Sequence, residues 1–230
     1  MQARPSDLNG AILVFAKFPE PDRVKTRMTP PLSPVQAAEF YGHLLDDVLE
    51  ATARFAGDLN LQPILTVHPP AACEAMAART PRSFRVMAQR GPDLAARMDW
   101  AVREVGAAGY GPILVRGSDS PALGADALES ALLALERCDL VLCPDRRGGY
   151  LLVGLRRPAP GLFDHPMSTA SVLADTMANG ETLGLRVELL EPGFDLNTIA
   201  DLRWLREARD RGEVLPCPRT LAFLDERELW

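Results

Sequence analysis

Cysteine and histidine are both scarce in this sequence of 230 residues, which holds four of the first and three of the second. Cys73, Cys138, Cys143 and Cys217 form no C-x-x-C pair, and His43, His68 and His165 are scattered. The zinc-ligand spacing is therefore missing, and a disulfide framework is not expected in a chain this long. Cys138 and Cys143 border or occupy an apolar strand and read as buried thiols. Basic residues are also in deficit, with 25 Lys and Arg against 31 Asp and Glu, a net charge of −6. That balance argues against broad binding to nucleic acid or an anionic membrane. No apolar run approaches the roughly 20 residues that cross a bilayer. Met1 to Asn9 lack the basic n-region and apolar h-region of a secretory signal. A soluble, cytoplasmic protein is expected. Oligomeric state leaves no mark in the sequence.

What is present suits a globular fold: 47% hydrophobic and 24% charged residues. With no repeat, low-complexity tract or clear linker, the expectation is one domain over residues 1–230. Its core would run from about 11 to 212, with a tail from 213 to 230. Continuous apolar runs at Ala11–Ala16 and Pro112–Val115 predict buried strands, and Pro63–Val67 and Phe84–Met87 predict two more. Helical spacing predicts helices over 34–53, 73–79, 93–105, 125–137, 168–179 and 199–211, with a short one late in the tail. Further strands are predicted over 139–143, 150–155 and 185–190. Alternating strands and helices imply a mostly parallel sheet covered on both faces. The close pair 139–143 and 150–155 is joined by about six residues, too few for a parallel crossover. At least one strand should therefore run antiparallel.

Five segments could carry chemistry. The loop after the first strand places Lys17, Arg23, Lys25 and Arg27 within eleven residues, a local anion site in an acidic protein. It matches neither the Walker pattern nor the G-x-G-x-x-G fingerprint. Next, Gln89-Arg90-Gly91-Pro92-Asp93 leads into a helix whose free N–H groups could face an anion, with Arg97 one turn in. A plain helix capped by Asp93 explains the same residues equally well. The strand over 112–115 runs into Gly117-Ser118-Asp119-Ser120-Pro121. Asp119 thus ends a central strand, where ligands bind in open α/β sheets, and could hold Mg²⁺ or Mn²⁺ against a phosphate. The alternative is that Asp119 caps the helix after it. Finally, Asp195 and Asn197 stand two apart and could offer oxygens to one cation, or Asn197 or Thr198 could cap a helix with Asp201. Gly148 and Gly149 admit close approach to a ligand, or make a hairpin turn.

Taken together these segments resemble the radical-SAM/selenodomain-associated transferases, also known as arsenosugar-biosynthesis glycosyltransferases. The resemblance rests on Phe15-Ala16-Lys17, Pro19, Pro21 and Lys25-Thr26-Arg27, then Asp93, Leu94 and Arg97. It continues through Gly117-Ser118-Asp119 with Pro121, Gly148-Gly149-Tyr150, Ser168-Thr169, and Phe194-Asp195 with Asn197-Thr198. These lie in order over about residues 11 to 205. The resemblance implies a single GT-A-like (Rossmann-like) domain of the nucleotide-diphospho-sugar transferase superfamily. It further implies a nucleotide-sugar donor, with Lys17, Arg23, Lys25, Arg27, Asp93 and Arg97 at the nucleotide and phosphates. The metal, Mg²⁺ or Mn²⁺, would be held by Asp119, Asp195 and Asn197, with Asp119 and Asp195 catalytic. The small-molecule acceptor would meet Arg146, Arg147, Gly148, Gly149, Tyr150, Ser168 and Thr169.

Departures from the family pattern are Asp22 for Gly, Arg146-Arg147 for Glu-Asp, Met167 for Trp and Asn197 for Asp. The two arginines predict a more electropositive acceptor side and an anionic acceptor. The neutral Asn197 predicts weaker metal binding. The nearest alternative is a nucleotidylyltransferase acting on a nucleoside triphosphate, like the molybdopterin and phospholactate guanylyltransferases. A catalytically silent nucleotide-binding protein is the third reading.

Overall fold

A computed structural model describes residues 8–230, so the first seven residues of the expected domain lie outside the described residues. The seven strands are β1 (Ala11–Lys17), β2 (Gln62–His68), β3 (Arg85–Ala88), β4 (Ile113–Gly117), β5 (Leu140–Pro144), β6 (Tyr150–Leu155) and β7 (Val187–Leu189). They form one sheet in the order β3-β2-β1-β4-β6-β5-β7. All pairings are parallel except those of β6, which is antiparallel to both β4 and β5. The short Pro144–Gly149 link forces this reversal, as its length predicts.

The helices are α1 (Pro34–Asp58), α2 (Cys73–Arg79), α3 (Leu94–Ala107), α4 (Ala125–Leu135), α5 (Val172–Thr182), α6 (Leu202–Asp210) and α7 (Pro218–Glu226). Side chains alternate across the strands, so the sheet needs cover on both faces. On one face Leu13, Ile113, Val115, Leu142 and Val153 pack against Met98, Ala101 and Val102 of α3, with Leu173 and Met177 of α5 beside them. On the other, Ile12, Leu114, Val141 and Leu152 pack against Phe55 of α1 and Leu128 and Ala131 of α4. Val14, Ala16, Leu65 and Val67 meet Tyr41, Leu45 and Val48 of α1 and Met76 of α2. The outer face of α1, with Phe40 and Leu44, is covered in turn by Trp204, Leu205, Phe223 and Leu224 of α6 and α7.

Local signals set several boundaries. Ser33 and Gln36 form a capping box with Pro34 opening α1. That helix runs a turn beyond the expected residue 53, because Phe55 and Ala56 are buried beneath it. α5 starts at Val172 rather than 168, because Ser168 has a left-handed φ of 64° that a helix does not admit. β7 is shorter than expected because the Leu185 amide still closes α5, donating to Gly180 O at 2.9 Å. The four cysteines are free, and three are buried.

Buried Asp47 of α1 caps α7 from across the fold. Its carboxylate accepts from the Thr220 amide at 2.7 Å, the Thr220 hydroxyl at 2.8 Å and the Arg219 amide at 3.2 Å. Asp47→Ala should leave those donors unmet and cost about 1.5–3 kcal/mol. Urea unfolding measures the loss, and amide hydrogen exchange should show it concentrated in α7. An unchanged midpoint would refute the capping role.

Candidate functional site

The carboxyl ends of β1, β2, β3 and β4 open onto one cleft, as the parallel half of the sheet dictates. Two adjoining cavities of about 490 and 470 Å³ make it up. Asp119, Asn197, Arg27 and Ser168 line both, so Asp119 stands at the junction.

Lys25 organises this junction. It has a left-handed backbone (φ 48°), which turns its side chain out of the loop after β1. Its Nζ donates to Asp119 Oδ1 at 2.5 Å and to Leu196 O at 2.6 Å. The Lys25 side chain is 4% exposed, that of Asp119 36%, so the carboxylate still opens to the cleft. Tyr41 of α1 lies beneath, its ring 5.7 Å from Nζ. Its hydroxyl accepts from the Lys17 amide at 3.0 Å and shares a hydrogen bond with Ser118 Oγ at 2.8 Å. Burial, and then the charge of Asp119, raise the Tyr41 phenol well above its ordinary pKa.

Behind Asp119 stands a second carboxylate. Asp195 accepts from Ser120 Oγ. Burial first, and Asp119's charge second, push its carboxyl up to about 7. Like charges held close in a half-dry site favour a cation between them. Buried Arg116 of β4 supports the same turn, donating to Ser120 O at 2.7 Å and Thr52 Oγ1 at 3.2 Å. Desolvation lowers its guanidinium to about 10, opposed by the charge of Asp195.

The structure brings most of the sequence candidates together. Lys17, Arg23, Lys25, Arg27 and Arg97 line the first cavity. Arg147, Gly149, Tyr150, Ser168, Thr169 and Asp195 line the second. Asp119 does not cap the following helix: α4 begins at Ala125, with Gly124 at its N-cap. Asp93 does cap α3, accepting from the Ala96 amide at 2.8 Å, and it faces a neighbouring cavity instead. Thr198 and Asp201 form a capping box, while Asn197 still faces the cleft. Gly148 makes the hairpin turn at φ 88°, and a Cβ there would lie 2.0 Å from Ala170 O. The glycine thus lets the 168–170 turn close over the β5–β6 link.

The two arginines differ from the expectation drawn from their sequence position. Arg147 donates to buried Asp201 and to Thr198 Oγ1. Arg146 lies 5.2 Å over the Trp204 ring and lines a separate cavity. A nearby carboxylate and an indole face engage the two guanidiniums, while Arg147 also lines the second cavity. Burial works against the charge of Asp201. Hydrogen bonds from Arg147, Asn197 N and Thr198 N overcome it and hold this carboxyl below its ordinary range.

Several cleft residues escape sequence reasoning. His68 and Gln89 reach the first cavity from the ends of β2 and β3. The rule that placed Asp119 at the end of β4 would have found them, had it been applied to every strand. Asp145 reaches the second cavity from the end of β5, accepting from the Arg147 amide at 2.6 Å and the Gly149 amide at 2.9 Å. Tyr41 carries no signal beyond its place on the buried face of α1.

Among the described residues no group of three or more His, Cys, Asp or Glu is placed to hold a metal ion. The oxygens of Asp119, Asp195 and Asn197 suit a hard cation that takes the rest of its shell from phosphate and water. They do not suit one needing a closed protein cage.

This sheet order and cleft define the nucleotide-diphospho-sugar transferase fold. The chain belongs to the family described as "Uncharacterized protein conserved in bacteria (DUF2064)", which matches residues 51–169. That span includes Asp119 but neither the cationic loop nor Asp195. A protein of Desulfovibrio desulfuricans G20, provisionally assigned as a nucleotide-diphospho-sugar transferase, is 30% identical, with 96% of each chain covered and a TM-score of 0.84. The 4-diphosphocytidyl-2C-methyl-D-erythritol synthase of Anaerococcus prevotii is 8% identical, with a TM-score of 0.57 over 88% of this chain and 100% of that one. A cytidylyltransferase of Leptospira borgpetersenii is 11% identical, with a TM-score of 0.55 over 96% of each chain. These last two share the fold. No curated protein matches the sequence.

The Arg147–Asp201 pair should be structural. Arg147→Ala should lower stability by about 1–2 kcal/mol, less than a buried pair would cost because the guanidinium is half exposed. Chemical denaturation tests this, with Arg146→Ala as the milder comparison. No change for Arg147→Ala would mean the pair contributes nothing to the fold.

Proposed function

We propose that this protein is a metal-dependent transferase using a nucleotide-sugar donor, a glycosyltransferase within one nucleotide-diphospho-sugar transferase domain. The observation that carries this reading is the joining of a five-cation cavity to a second cavity at Asp119. The 30% identical relative, assigned to that class, supports it. Lys17, Arg23, Lys25, Arg27 and Arg97 would bind the donor's phosphates. Asp119, Asp195 and Asn197 would hold Mg²⁺ or Mn²⁺, which when bound neutralises charge on the leaving diphosphate. Lys25 and Arg27 add to that neutralisation. In the transfer an acceptor oxygen bonds to the sugar's anomeric carbon as the bond to diphosphate breaks. The diphosphate keeps the electron pair, and the acceptor's proton passes to water in the cleft. The resemblance to the radical-SAM/selenodomain-associated transferases belongs to this reading.

A second reading has a specific support. The same concentration of cations suits a triphosphate, and the fold is shared with cytidylyltransferases. A nucleotidylyltransferase would release pyrophosphate from a nucleoside triphosphate. A glycosyltransferase would release a nucleoside diphosphate from a nucleotide-sugar. Assaying both products over a panel of nucleotides, with Mn²⁺ and with chelator, separates the two. Metal-independent binding without either product would instead indicate a silent nucleotide-binding protein.

Asp119→Ala should abolish the Mn²⁺-dependent part of nucleotide binding in calorimetry while leaving the circular dichroism spectrum unchanged. Persistence of the metal dependence would remove Asp119 from the metal site. Lys25→Ala/Arg27→Ala should weaken nucleotide affinity about tenfold or more, from the loss of charged hydrogen bonds of roughly 1.5–3 kcal/mol each. Wild-type affinity in a folded double variant would remove both residues from the phosphate site.

A further inference from the structure

The two halves of the cleft offer different chemistry. The first carries the five cations. The second has an apolar wall of Met98, Tyr150, Met167 and Val172, joined by Phe15 and Leu94, which border the first half too. Phe15 is the only residue of β1 from Ala11 to Ala16 that is not buried. Leu94, at the start of α3, is 38% exposed. Phe15, Tyr150 and Met167 sit partly buried on top of the core between the sheet and α3. These three side chains therefore cover that core and present their own outer surface to the cleft.

The same cavity is lined by Asp119, Asp145 and Asp195. The cations bordering this half are already engaged or shared. Arg147 is held by Asp201 and Thr198, and Arg116 is buried on Thr52 and Ser120. Arg27 belongs equally to the phosphate half. An anion entering here would meet the carboxylates of Asp145 and Asp195 beside that of Asp119, which Lys25 already pairs. A fully hydrated sugar would leave the apolar wall wet.

We propose that the acceptor is an uncharged hydroxyl compound with an apolar body, aryl or alkyl. Its body lies on the wall formed by Phe15, Leu94 and Met167, and its hydroxyl points toward Asp119 and Asp195. Apolar walls with a few convergent polar groups are the usual form of a small-molecule site. Two methionines make this one pliant. The proposal rests on the donor reading above only in assigning this half to the acceptor. It reverses the anionic acceptor expected from Arg146 and Arg147.

Saturation-transfer NMR on the full chain tests it with three probes: 4-methylbenzyl alcohol, 4-methylbenzoate and glucose. The alcohol should bind about tenfold more tightly than either of the others, since carboxylate repulsion and lost apolar contact each act on one competitor. Met167→Asp should remove alcohol binding and Met167→Leu should keep it, both with wild-type melting temperatures. Equal or tighter binding of benzoate or glucose overturns the proposal. So does failure of all three to bind, or alcohol binding untouched by Met167→Asp. Titrating UDP, GDP and their sugars with Mn²⁺ into the same samples separates the two inferences. Alcohol preference without nucleotide binding refutes the donor reading alone. Nucleotide binding without alcohol preference refutes this inference alone.

Discussion

Everything at the cleft depends on one nearly buried ammonium. An amine withdrawn from water must find its hydrogen bonds inside the protein. Lys25 finds them on a carboxylate from the end of β4 and a carbonyl from the segment before α6. Three stretches distant in sequence are thereby fixed to one point. A backbone bond from the Leu196 amide to Asp119 O, at 2.9 Å, ties the last two together a second time. The left-handed conformation of Lys25 is the local cost of this arrangement.

The sheet explains why the cleft has two characters. Its parallel half directs the segments after β1 and β3 to one side, and these bring cations. At β6 the direction reverses, so the other side of the cleft is built from a tight hairpin. That hairpin contributes Asp145, Gly149 and Tyr150 instead of a crossover helix. A change of strand direction thus coincides with a change from basic to acidic and apolar lining, with Asp119 on the last parallel strand before it.

Much of this was legible in the sequence because it is encoded locally. Strand runs such as Ala11–Ala16, the capping pair Ser33 and Gln36, and the short β5–β6 link each carry their own signal within a few residues. Asp119 and Lys25 were legible as candidates for the same reason. Their contact was not, since it depends on a separation of 94 residues. The partners of Arg146 and Arg147 were illegible on similar grounds, since Asp201 and Trp204 arrive from far along the sequence. Asp201 read as a helix-capping residue, and it serves both purposes. Ser168, where a helix was expected to begin, shows a tertiary demand overriding periodicity: the turn must clear Gly148.

The Asp47 cap on α7 links residues 173 positions apart. This has a consequence for how the chain is made. α1 is made before α6 and α7, and its outer face, with Phe40 and Leu44, stays uncovered until they have been translated. Contacts of such span are slow to close, and bare apolar surface on a growing chain invites aggregation. The helix that carries Tyr41 under the cleft therefore waits for segments made well after it, and its outer face is bare in the interval.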